Sequence, residues 1–182
     1  MKAQPLRQIA LGLLKTFTLG FAVSASFGAP AYAGQAPFLH DKAYVLPSGK
    51  KVAVKFRERR CAPGKCREVD SGVWGMDGGI PRFVTEAFSV IIDGKEFAIP
   101  EKFYKDLTNT THLSVSEQDV QVIVELQGGE GAGAYKARFM LGGMCGFERK
   151  ICGEICDEMW EQSVWHNSFA YESDPSCKSR IQ

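Results

Sequence analysis

The chain has only three histidines in 182 residues, no C-x-x-C pair, no apolar run long enough to cross a membrane, and almost no net charge. Each shortage excludes something. The formal charge is +1, and Lys2, Arg7 and Lys15 lie in the first 33 residues, so the remainder is slightly acidic. A general nucleic-acid binder needs a basic face to displace counterions from phosphate, and this chain has no such excess. Without C-x-x-C there is neither a thioredoxin-like redox motif nor a paired zinc signature. No G-x-S-x-G elbow occurs. Ser48-Gly49-Lys50-Lys51 matches S-x-x-K, but its partners S-D-N and K-T-G are missing, and the serine enters a strand after Pro47. No internal repeat, linker or second domain is apparent. The hydrophobic content of 45% excludes wholesale disorder.

Residues 1–33 read as a cleaved secretory signal peptide. A basic start precedes the apolar stretch Thr16–Ala29, and Ala31-Tyr32-Ala33 supplies a small-residue cleavage site. That stretch contains Ser and Gly and falls short of the roughly 20 apolar residues a span requires. No cysteine stands near the site to accept a lipid. Residues 34–182 are then a single exported domain, periplasmic or secreted, with no membrane span in the mature form. Its six cysteines, Cys61, Cys66, Cys145, Cys152, Cys156 and Cys177, are an even set that an oxidising compartment turns into disulfides.

Glycines separate short stretches that alternate with period two, the pattern of an antiparallel β protein. Val52, Val54 and Phe56 share one face. Val84, Phe88, Val90 and Ile92 share another, interrupted by Glu86, and Asp93-Gly94 then signals a hairpin returning through Phe97 and Ile99. Val120, Val122, Val124 and Leu126 form a third row, and Tyr135, Ala137, Phe139 and Leu141 a fourth. The fold expected is mostly β: an antiparallel β-sandwich or partly closed barrel, disulfide-stabilised, with one short helix of about two turns from Pro100 to Leu107 acting as a lid. For residues 154–171 helix and strand both remain open.

Cys61 and Cys66 flank Ala62-Pro63-Gly64-Lys65, and Pro-Gly suits the centre of a tight turn. In a two-residue hairpin the cysteines form a non-hydrogen-bonded pair with α-carbons about 4.5 Å apart, within disulfide range. They are expected to bond to each other. Extending that register places Val54 opposite Val73 and Ala53 opposite Trp74. The pairing of Cys145, Cys152, Cys156 and Cys177 is left open.

Few segments carry recognisable chemistry. The loop 128–133 has G-x-G-x-G spacing between strands, a hairpin connection that lacks a nucleotide fingerprint. Asn109-Thr110-Thr111 is a formal glycosylation sequon. His40 and His112 read as solvated, whereas His166 lies among Trp165, Asn167, Phe169 and Tyr171. Trp74-Gly75-Met76-Asp77-Gly78-Gly79 combines a large flat ring with a bending backbone and a turn-forming carboxylate. The sequence therefore points to an exported, non-enzymatic binding protein whose partner is an envelope protein or a glycan. The binding candidates are Trp74, Asp77, Trp165 and His166, with no catalytic residue, metal or cofactor assigned. The alternative is a small secreted hydrolase using His166 or a carboxylate among Glu154, Asp157, Glu158 and Glu161. A weaker one is a metal-binding envelope protein using Cys145, Cys152, Cys156 and His166.

Overall fold

A computed structural model describes residues 36–62, 64, 66, 72–97, 99–142 and 145–173. The expected leader and Cys177 lie outside them. Two antiparallel sheets account for most of the described chain. The first has four strands, β1 (Leu39–Val45), β2 (Lys51–Arg60), β3 (Phe83–Ile92) and β4 (Lys95–Phe97). The second has five, β5 (Thr110–Gln118), β6 (Gln121–Gly128), β7 (Tyr135–Leu141), β8 (Gly146–Cys152) and β9 (Met159–His166). Within each sheet every strand pairs with its neighbour in sequence, so each is a meander.

The alternation expected from the sequence defines the inner faces. Val52, Val54 and Phe56 of β2 and Phe88 and Val90 of β3 are buried against Val122, Val124 and Leu126 of β6 and Tyr135, Phe139 and Leu141 of β7. The Phe88 ring meets Phe139 edge-on at 5.1 Å, and Phe97 meets Phe147 at 6.1 Å, so the two sheets share one core. Each such side chain contributes roughly 1.5–3 kcal/mol on burial. The fold is a disulfide-containing β-sandwich. Among the described residues, no helix is long and apolar enough to cross a membrane.

Several local expectations are corrected. Glu86 is an extra residue in β3: Arg57 pairs with Ala87, while Glu58 pairs with Thr85. This bulge reverses the facing of everything before it. Phe83 and Thr85 are therefore buried, and Val84 is turned away from Phe88 and Val90. Val120 is an exposed turn residue rather than the first of its strand. The two-turn helix is a single 3-10 turn, Glu101–Phe103. It stops at Tyr104, whose backbone leaves the helical region at φ −140°, and the chain turns on to Leu107, which bridges Trp74. The segment still closes over the core, since Tyr104 and Leu107 are buried in it. Residues 159–166 are strand, followed by a short helix, α1 (Ser168–Ser173). At Asp93-Gly94 both φ values are positive, +49° and +79°, the geometry a two-residue hairpin prefers.

Cys61 is bonded to Cys66 with α-carbons 5.7 Å apart, and Cys152 is bonded to Cys156. Cys145 is also in a disulfide. The hairpin register drawn from the first pair is overturned. β2 lies between β1 and β3, with Val54 opposite Val90 and Ala53 opposite Ile91, so neither of its edges is open to residues 73–74. The Cys61 amide donates to the Arg82 carbonyl, carrying the β2–β3 pairing up to the disulfide.

Candidate functional site

Three segments converge beside β9. Arg149 sits on β8 between Phe147 and Ile151, at a position whose side chain must face inward, and it is 3% exposed. A buried guanidinium requires partners for its donors and its charge. Asp106, from the β4–β5 connection, accepts two bonds from it at 2.8 Å. Glu161 of β9 accepts at 2.6–2.9 Å, and the Phe103 carbonyl takes a further bond at 2.8 Å. Ser163 also donates to Glu161, as does the Trp74 side chain. Burial raises the pKa of Glu161, but the bonds and charge of Arg149 more than reverse this, leaving the carboxyl below the ordinary glutamate range.

Trp74 is brought here by its backbone. Its amide donates to Asp106, and its carbonyl accepts from the amide and hydroxyl of Thr108. Gly75 continues the segment at φ +97°, where an added Cβ would collide with the Thr108 carbonyl. The glycine loop after β6 docks on the same segment. An added Cβ at Gly133 would strike the backbone of Met76 and Asp77, and one at Gly129 would strike Gly75. Gly75, Gly129 and Gly133 are thus explained by backbone-to-backbone approach, whereas Gly78, Gly79 and Gly131 lie in open space at positive φ.

The Trp74 ring stacks on Trp160 of β9, with centroids 5.7 Å and planes 18° apart. Trp160 also lies close to Gly153, where a Cβ would come within 2.9 Å of its ring. Held by both, it remains 41% exposed. Met159 and Val164 on the same strand are exposed, as are Phe169 of α1 and Ile155, the last at 84%. The result is a fixed, partly open aromatic residue on an edge strand of the second sheet, a strand that also exposes Met159 and Val164.

The four sequence candidates do not form one site. Trp74 meets Trp160 and Glu161, while Asp77 is exposed on the docked loop. Trp165 turns inward against Phe147, with ring centroids 5.6 Å apart, and His166 is exposed opposite Gly146. Trp160 and Trp165 are five residue steps apart along β9, about 17 Å. Near the Trp165 end, a depression of about 310 Å³ includes Met140, Glu148, Gln162 and Val164. Glu154, Asp157 and Glu158 are exposed in the β8–β9 connection, apart from the paired Glu161.

With Cys145, Cys152 and Cys156 in disulfides, none of them stands as a thiolate ligand. Among the described residues, no three His, Cys, Asp or Glu side chains are grouped to hold a metal. The sequon asparagine is buried: its oxygen accepts from the Arg82 and Phe83 amides, and its nitrogen donates to the Gly75 carbonyl.

Three polar residues escaped the sequence reading. Arg149 is one. Glu58, 4% exposed, continues the inward row Val52–Val54–Phe56, and its carboxylate accepts from the Thr110 and Phe38 amides. Burial pushes its pKa up against those bonds. His40, expected to be solvated, is only 6% exposed and lies opposite Phe56. For Arg149 and Glu58 the available signal was a charged residue at a core position in an alternating run. No family model, curated protein or solved structure matches the chain.

Proposed function

We propose that this chain is a non-enzymatic binding module of an exported compartment, and that it grips a partner protein with the outer side of β9 and its flanks. The observation carrying this reading is Trp160, fixed by Trp74 and Gly153 yet open to solvent amid Met159, Val164 and Ile155. Fixed aromatic residues give large contact area with little conformational entropy to lose, which makes them anchors of interfaces. Met159 and Val164 on the same strand, and Ile155 before it, add exposed apolar surface for a partner to cover. An edge strand also offers its backbone to an incoming strand. The disulfides support the exported setting, where such bonds persist. Hydrolysis has less support, because Glu161 is committed to Arg149 and the other three carboxylates of that stretch are exposed.

The test is to immobilise the exported protein and a Trp160→Ser/Val164→Ser variant, then challenge both with envelope extract and with a glycan array. One stoichiometric protein partner, retained by the parent and lost by the folded variant, is the expected result. A sugar retained in the same variant-sensitive way would make the ligand a glycan. Equal retention by both proteins would remove β9 as the binding face.

A further inference from the structure

The opposite side of the sandwich contains a different device. There β1, an edge strand of the first sheet, lies near β5, an edge strand of the second. Polar contacts bridge the sheets at both ends of this seam. At one end Lys50 pairs with Glu117 at 2.6 Å, and at the other the Thr110 amide bonds Glu58 at 2.8 Å. Between them His40 is buried on the inner side of β1, its ring stacked 6.3 Å from Phe38 and 6.0 Å from Tyr44. Its Nε2 is hydrogen-bonded to the Tyr44 hydroxyl at 2.8 Å.

The charges facing this ring are unbalanced. Lys42 on its own strand and His112 on β5 both oppose a positive imidazole. Asp41 favours one, but it is exposed and already paired with Lys55 at 3.7 Å. From β2 the ring faces Phe56; the nearby carboxylate of Glu58 is taken up by the Thr110 and Phe38 amides. A proton on His40 would thus place a cation at a largely covered position beside two basic groups.

We propose that β1 is an acid-sensitive edge, released from the seam when His40 is protonated. Burial first, and then Lys42, hold the His40 pKa below its ordinary value of 6.5. The neutral ring is therefore favoured by folding. Its contribution is complete above the unfolded-chain pKa and is lost as pH falls past that value and through the folded one. Strand β1 yields before the core because it is an edge, paired on one side only. Its release bares the edge of β2, a template for pairing with another strand. The proposal is independent of the β9 binding face.

Hydrogen exchange of the full chain at pH 7.5 and 5.0, corrected for the intrinsic pH effect, tests it. Protection of residues 39–45 should fall several-fold relative to residues 135–141. In His40→Phe this relative fall should vanish. In Lys42→Gln, an exposed change that spares the fold, it should shrink, and the His40 proton resonance should titrate at higher pH than in the parent. Equal losses in both segments, an unchanged β1, or a His40 midpoint at or above 6.5 would overturn the proposal.

Discussion

The two sides of the sandwich bury charge in opposite ways. Beside β9, Arg149 has two carboxylates and a carbonyl, and its guanidinium ties β8, β9 and the β4–β5 connection together. Beside β1, Glu58 has only amide and hydroxyl donors from Thr110 and the Phe38 amide, and His40 has a tyrosine hydroxyl while Lys42 and His112 together oppose its charge more than the exposed Asp41 favours it. Every buried side-chain polar atom among the described residues has a hydrogen-bond partner. The difference therefore lies in countercharge, with hydrogen bonding complete on both sides. A hydrogen-bonded buried group without countercharge is tolerated, but its stability depends on pH. A paired one is fixed across the physiological range.

Breaking the paired side should have the largest effect. Arg149→Met leaves Asp106 and Glu161 facing each other without their cation. It should destabilise by about 3 kcal/mol, the low end for a broken buried pair because both carboxylates keep some solvent. Urea unfolding at pH 7 measures this, and adding Glu161→Gln should recover part of the loss. Opening the Cys61–Cys66 disulfide with Cys61→Ser/Cys66→Ser should cost at most about 2 kcal/mol, since so short a loop restricts the unfolded chain little.

Glu58→Gln sharpens the comparison through sign. The folded-state pKa of Glu58 is raised, so its contribution is complete below the unfolded value and is lost as pH rises through the folded one. The parent should lose stability over that rise, and the variant should show a flatter profile in urea titrations at successive pH values. Trp160→Ser, on a half-exposed ring, should shift stability least, by about 0.5–1 kcal/mol from lost apolar burial, while affecting binding most.

The legible half of the fold is the half with clean alternation. Strands β2, β6 and β7 carry one apolar face and one largely polar face, and their sequences show it; β3 shows it only beyond its bulge at Glu86. β1 reads Leu39-His40-Asp41-Lys42-Ala43-Tyr44-Val45, an edge strand in which only His40 and Tyr44 turn inward around an exposed Lys42, so no apolar row marks it. β8 hides for a related reason: Arg149 interrupts Phe147 and Ile151 at the middle inward position. Trp74 stood out by composition, yet its stacking partner Trp160 is 86 positions away in sequence, and no local pattern links them. The bulge at Glu86 was visible as an acid among apolar residues, but its effect on strand facing depends on the partner strand.

The central claim is that the exposed face of β9 around Trp160 is the surface that meets a partner. Its most direct measurement is photo-crosslinking in the native compartment, with a photoreactive phenylalanine analogue at position 160 and, as a control, at position 55 on the outer face of the other sheet. A single discrete adduct from position 160 and none from position 55 is the predicted result. The same adducts from both positions, or none from position 160, would contradict it.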